Sequence, residues 1–306
     1  MGFEVELYEE RRRKWRRSAF WKGFAIASAV IIVFLVIVAA VMGGRGNPTG
    51  PHIARFFLTD VIYDNPDRDA LFAEMAENDD VKALVLRINS PGGTTAGSEA
   101  LFDSLRKVAA NKPVVAVLGE VAASGGYIAA ISADHIIARG NTVTGSIGVI
   151  MEYPDVTALM ERLGIEMQTI RSSDIKGGPS PFRPLTEEAR AEELAMVEEA
   201  NQWFRGLVSE RRRLQGAALD AVATGGVFSG RQAVENGLID AIGGEDEALA
   251  YLESLDAGLA EFNVETWELP VADASLLGAL GMKLGINPLF NGLSGQSGPR
   301  LYSLKR

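Results

Sequence analysis

One serine in this chain of 306 residues stands where a nucleophile would be exposed. In Gly119-Glu120-Val121-Ala122-Ala123-Ser124-Gly125-Gly126-Tyr127, Ser124 sits on a turn built of small residues. The run before it, Pro113-Val114-Val115-Ala116-Val117-Leu118, is β-branched and bounded by proline, and Tyr127-Ile128-Ala129-Ala130-Ile131 after it reads as a helix. A strand-to-helix turn aims successive backbone N–H groups at one point, which favours negative charge developing there. These residue types point to acyl transfer through a serine hydroxyl. Glycine clusters also mark plain tight turns, so the surroundings of Ser124 carry the case.

A second small-residue loop, Asn89-Ser90-Pro91-Gly92-Gly93-Thr94, follows the apolar run Ala83-Leu84-Val85-Leu86-Arg87-Ile88 and also opens onto a helical segment. If the two strands are parallel neighbours, both loops share the carboxyl edge of the sheet, where open α/β folds gather their sites. Gly92 and Gly93 could then offer N–H groups to an oxyanion beside Ser124, with Gly125 supplying another. The same loop also suits an ordinary turn leading into a helix.

The base that would activate Ser124 is narrowed by what the chain lacks. It has two histidines and no cysteine. His52 directly follows the N-terminal hydrophobic segment and linker, and His135 lies in the strand-like run Ala133-Asp134-His135-Ile136-Ile137. Neither is well placed in sequence for a serine-histidine-acid triad, although a fold can bring distant residues together. Lysine is the other base that works with serine, when burial or neighbouring positive charge lets its amine lose a proton. Only Lys176, Lys283 and Lys305 follow Ser124 in sequence. Lys176, in Ser173-Asp174-Ile175-Lys176-Gly177-Gly178-Pro179, is the best candidate, although a loop lysine is ordinarily a solvated charge.

Five segments, taken in order, resemble the bacterial signal peptide peptidase A family in its short single-repeat form. They are Ser90-Pro91-Gly92-Gly93, Ala123-Ser124-Gly125-Gly126-Tyr127, Thr144-Gly145-Ser146-Ile147-Gly148-Val149, Lys176, and Gly226-Val227-Phe228-Ser229-Gly230-Arg231-Gln232-Ala233 with the turns after it. The resemblance covers about residues 53 to 250. It implies Ser124 as nucleophile, Lys176 as general base, Ser146 as the hydroxyl that positions the lysine, and Gly92 or Gly93 with Gly125 as oxyanion donors. It also implies an α/β fold of the Clp protease and crotonase kind, with stacked ββα units in a curved spiral sheet. Members of the short form assemble into a homo-oligomeric ring in which the lysine reaches a neighbour's serine. Their substrates are peptides, in particular signal-peptide remnants, and no cofactor is implied. One departure falls in Thr59-Asp60-Val61-Ile62, where the family often has glycine before the Val-Ile pair. Another is the Pro- and Gly-rich run after Lys176.

The N-terminus sets the expected location. Phe24 to Met42 is 19 residues without a charge, long enough for a membrane-spanning helix. Arg11-Arg12-Arg13-Lys14-Trp15-Arg16-Arg17 precedes it, and only Arg45 follows closely. The positive-inside rule then keeps residues 1–23 in the cytoplasm of a bacterium and puts the catalytic domain outside its inner membrane. A cleaved signal peptide is the rival reading, with Ala39-Ala40-Val41-Met42 as a weak cleavage pattern. Residues 43–51 read as a linker, 52–256 as the peptidase domain, and 257–306 as an extension that could form an oligomer rim.

A formal charge of −10 argues against nucleic-acid binding, and the absence of cysteine excludes disulfides. No metal-ligand spacing is evident, so no metal is expected. Thr186 with Glu187 and Glu188 starts a helix whose Leu194, Val197, Phe204, Leu207, Arg211 and Leu214 fall on one stripe. Arg211, Arg212 and Arg213 read there as surface charges complementing its dipole. The expected function is a membrane-anchored Ser-Lys endopeptidase. The rivals are a crotonase-like acyl-CoA enzyme, using the same oxyanion loops, and a non-catalytic membrane scaffold ring.

Overall fold

Near-continuous apolar runs become the central strands of a sheet that is buried on both faces, as parallel sheets are. In the computed structural model, residue 15 and residues 20–35, 48–173 and 175–269 are described. The strands are β1 (His52–Thr59), β2 (Val81–Ser90), β3 (Val114–Ala123), β4 (His135–Ala138), β5 (Val143–Gly145), β6 (Val227–Ser229), β7 (Ala241–Ile242) and β8 (Val264–Trp267). Their order is β6-β5-β3-β2-β1-β8, with β4 pairing both β3 and β7. All pairings are parallel except β5 with β6. This mixed α/β sheet is consistent with a Clp protease or crotonase-like fold.

The helices are α1 (Pro66–Glu77), α2 (Thr95–Ala109), α3 (Gly125–Ile131), α4 (Thr157–Arg162), α5 (Glu187–Arg212), α6 (Ala217–Val222), α7 (Gly230–Glu235) and α8 (Glu245–Leu255). Strand alternation divides the core between two faces. Phe56, Leu84, Leu86, Ala116 and Leu118 join Phe72 of α1, Leu105 of α2, Ile128 of α3 and Phe204 of α5. Ile53, Val85, Val115, Val117 and Ile137 meet Ala248 and Leu252 of α8 and Leu259 on the other.

Strand β3 serves two neighbours in succession. Val115–Leu118 pair with β4, whereas Val121–Ala123 pair with β5. Between them the β2–β3 register shifts, between Ile88 and Ser90. Side chains fill the gap in the ladder: Asn89 Oδ1 accepts from the N–H groups of Glu120 and Val121, both at 3.1 Å, and Thr142 Oγ1 donates to Gly119 O at 2.6 Å. The bend turns the last residues of β3, and Ser124 after them, toward β5.

Three expectations are corrected. The peptidase domain does not end at residue 256, because β8 pairs with β1 and carries the buried Trp267. Trp267 Nε1 donates to His52 Nε2 at 2.9 Å, and indole N–H can only donate. His52 Nδ1 therefore carries the proton and donates to Gly50 O at 2.7 Å. Two of the arginines near the end of α5, Arg211 and Arg212, are ties to other segments, whereas Arg213 is exposed as expected. Arg211 donates to the carbonyls of Ile131 and Ala133 at the end of α3, Arg212 holds Gly237 O and the Asp240 carboxylate, and Arg213 caps the helix at φ 56°. The α5 stripe is buried only in part: Phe204 and Val208 enter the core, while Leu194 is 64% exposed.

Residues 20–35 are helical. Among the described residues no helix is long and apolar enough to cross a membrane. Residues 36–42 of the expected span, and 43–47 of the linker, lie outside the described residues, as do Lys283, Lys305 and the rest of 270–306.

Removing the indole that joins the edge strand to β1 should be costly. Trp267→Ala is expected to lower stability by about 3–5 kcal/mol, read from the midpoint of urea unfolding. Asp240 supplies a pH test. Burial opposes its ionisation, but the hydrogen bonds and charge of Arg212, with Ile136 N–H, outweigh it and hold the carboxyl below its usual range. A depressed acid stabilises above its unfolded pKa and loses that contribution as pH falls through the folded value. Asp240→Asn should therefore melt earlier than the parent at pH 7, and the gap should close below about pH 4.

Candidate active site

The end of β3 and the start of α3 place Ser124 under backbone constraint. Its φ is 52° and ψ is −119°, a region side-chain-bearing residues rarely occupy. The constraint is held from several sides: Ser124 N–H donates to Gly145 O at 2.9 Å, and Ser124 O accepts from Tyr127 and Ile128 N–H at 2.9 and 3.0 Å. Its hydroxyl makes no capping bond to the helix it precedes. The side chain is left on the wall of a cleft of about 980 Å³.

The loop after β2 meets this turn directly. Gly92 has φ 105°, and a Cβ there would lie 2.7 Å from Gly125 N and 2.9 Å from Ser124 Cβ. Only glycine admits that approach. Gly92 N–H donates to Ser90 Oγ at 3.1 Å, which commits this amide away from an oxyanion. Gly93 also borders the turn: a Cβ on Gly125 would stand 3.2 Å from Gly93 N. Both Gly93 and Gly125 line the cleft with Ser124.

Ser146 reaches the same cleft from the end of β5. It too has positive φ, at 51°, and its N–H donates to Gly226 O at 2.8 Å. Lys176 is not brought in. It is exposed, its N–H bonds Ser173 O at 3.3 Å, and it is absent from the cleft wall. The histidines lie at the amino-terminal ends of β1 and β4, whereas Ser124 follows the carboxyl end of β3. His135 stacks on Tyr251 with ring centroids 3.9 Å apart, and burial lowers its pKa against the pull of Asp240.

The rest of the wall was not found from sequence. Val61 and Tyr63 form one rim, Ser98 and Ile128 lie deeper, and α5 contributes Met196, Val197, Asn201, Trp203 and Phe204. The stripe through Val197 and Phe204 was the available signal for the α5 wall. Among the residues lining the cleft none is Asp, Glu, Lys, Arg or His. Among the described residues no group of His, Cys, Asp and Glu could hold a metal ion.

Comparison with known proteins identifies the family. The model of peptidase family S49 matches residues 106–259, and that of Clp protease matches residues 57–141. A protein of Methanocaldococcus jannaschii described as a protease is 33% identical over 248 residues, covering 76% of this chain and 80% of its own. The chloroplastic serine protease SPPA of Arabidopsis thaliana is 36% identical over 178 residues, 57% of this chain and 26% of that protein. A protein of Enterococcus faecium named as a signal peptide peptidase is 33% identical over 198 residues, 63% of this chain and 58% of its own. Matched over residues 106–259, from the last turn of α2 through the serine turn and past α8, the chain belongs to peptidase family S49 and is a serine protease.

Proposed function

We propose that Ser124 is the nucleophile and Lys176 of a neighbouring copy the general base of a Ser-Lys endopeptidase, anchored in the bacterial inner membrane. Its substrates would be signal-peptide remnants, cleaved outside the cytoplasm. The observation that carries the reading is the cleft itself: Ser124 lies on its wall with Gly93 and Gly125, and no charged side chain or imidazole lines it. A serine hydroxyl needs a proton acceptor, so one has to enter from outside that wall.

Lys176 lies on a segment that its own chain leaves exposed. Ile150, Leu163, Ile165 and Ile170 are exposed there, and α4 buries none of its residues. Apolar surface of that extent favours a protein partner, and a second copy of the chain would cover it while supplying the lysine. Ser146, already in the cleft, would accept or donate a hydrogen bond at the incoming amine.

In the reaction, Ser124 Oγ attacks the scissile carbonyl carbon as its proton passes to the neutral Lys176 amine. The carbonyl oxygen becomes an oxyanion facing the amides of Gly93 and Gly125. Collapse breaks the C–N bond, and the lysine ammonium returns its proton to the leaving amine. A water then gives a proton to the same lysine and attacks the acyl carbon; collapse breaks the C–Oγ ester bond, the ammonium returns that proton to Ser124 Oγ, and the carboxylic product leaves. An uncharged, largely apolar wall suits the hydrophobic stretch of a signal peptide. The anchor reading rests on the uncharged run 24–42 behind the basic cluster 11–17.

Ser124→Ala should reduce peptide turnover by about a thousandfold or more with size-exclusion elution unchanged. Lys176→Arg should be as inactive as Lys176→Ala, because guanidinium stays protonated. Co-expressed Ser124→Ala and Lys176→Ala chains should recover part of the activity in mixed assemblies. No recovery in verified mixed assemblies would place the dyad within one chain. Gly92→Ala should also abolish turnover, since its methyl would meet Gly125 N; parental rates would disprove the site geometry.

A further inference from the structure

The peptide plane that would face the oxyanion is fixed by hydrogen bonds running away from the cleft. Ile62 N–H donates to Gly92 O and Thr94 N–H donates to Ile62 O, both at 2.9 Å. These bonds join Ile62 to Gly93 as a single parallel rung. A trans peptide carries its C=O and N–H on opposite sides. Directing Gly92 O toward Ile62 therefore turns Gly93 N–H the other way, toward the serine turn.

The preceding plane is held by a side chain. Gly92 N–H donates to Ser90 Oγ at 3.1 Å, and Ser90 Oγ donates its proton to Asp60 O at 2.5 Å. The Ser90 hydroxyl thus acts as donor and acceptor at once, fully buried at 0% exposure. Its main-chain acceptor is itself fixed: Asp60 has φ 64°, a conformation that glycine takes freely and aspartate tolerates. That explains how this chain accommodates Asp60 where glycine was the expectation. Gly92 sits between the two anchored planes, without a side chain of its own to restrict rotation.

We infer that Ser90 is a positioning residue of the oxyanion site, acting through Gly92 to aim the Gly93 amide; this rests on the acyl-transfer reading of Ser124. Ser90 is fully buried and is not among the residues of the cleft wall. Without its hydroxyl, the Gly92 amide and the Asp60 carbonyl lose their common partner, so the Pro91–Gly92 plane is released and the Gly92–Gly93 plane is left positioned by its own Ile62 bond. The effect belongs to the transition state, where charge on the carbonyl oxygen first demands a well-aimed donor.

The test compares full-length, assembled wild type with Ser90→Ala, measuring peptide kcat and KM and the affinity for a peptide boronate. The boronate's tetrahedral adduct on Ser124 places an oxygen at the oxyanion position. Ser90→Ala should lower kcat by about ten- to a hundredfold and weaken the boronate in parallel, with KM within about twofold of the parent. Ser90→Cys keeps the shape with a weaker donor and acceptor, so it should show a smaller loss in the same direction, and it serves if the alanine variant does not fold. Unchanged kcat and boronate affinity in a folded variant overturn the inference. So does a rise in KM as large as the loss of boronate affinity, which marks a general structural role. A wild-type chain that takes up no boronate at Ser124 overturns the acyl-transfer reading and this inference together.

Discussion

Two backbone turns meet at a distance no side chain can enter. The Gly92 loop and the Ser124–Gly125 turn approach so closely that a Cβ on Gly92 would lie 2.7 Å from a main-chain nitrogen. Such contact requires β2 and β3 to be parallel neighbours ending at the same edge, and the sheet provides this. It also comes with a register shift between β2 and β3, after which β3 exchanges β4 for β5 as its neighbour. The Asn89 side chain takes over the hydrogen bonds that the shift removes from the ladder. A polar side chain in the sheet thus solves a backbone problem created by the site.

The serine turn is anchored from behind as firmly as from the front. Helix α3 is buried along its whole length, and its Tyr127 hydroxyl donates to Leu238 O at 2.7 Å. At its carboxyl end Arg106 donates to Ser132 O, while Arg211 holds Ile131 O and Ala133 O. Cations at that end complement the helix dipole and satisfy carbonyls the helix leaves unpaired. Positive charge is therefore gathered at the far end of α3, away from the uncharged cleft at its start.

What the sequence disclosed divides along physical lines. The turn around Ser124, the Ser90–Gly93 loop and the central strands were legible, because each depends on local composition: small residues where chains must approach, β-branched runs where both faces are buried. Strand β8 was not, since Val264–Trp267 is a short run whose place beside β1 depends on contacts over 200 residues away, such as Trp267 with His52. Arg211 and Arg212 near the end of α5 were misread for a similar reason. Their charge suits a helix end, but their partners lie on α3 and near β7, which periodicity cannot reveal. Lys176 was reached only by elimination and resemblance, and its own chain leaves it outside the cleft.

The absence of charge on the cleft wall has a consequence for how this protein can be interrogated. No carboxylate, imidazole, ammonium or guanidinium group lines it, so the wall adds no signal of those kinds. On the proposed reading, a pH–rate profile would then report chiefly the proton acceptor that serves Ser124. The ionisation state of a bound peptide would be set by the peptide's own groups, with the cleft serving as a nearly blank background against which they are read.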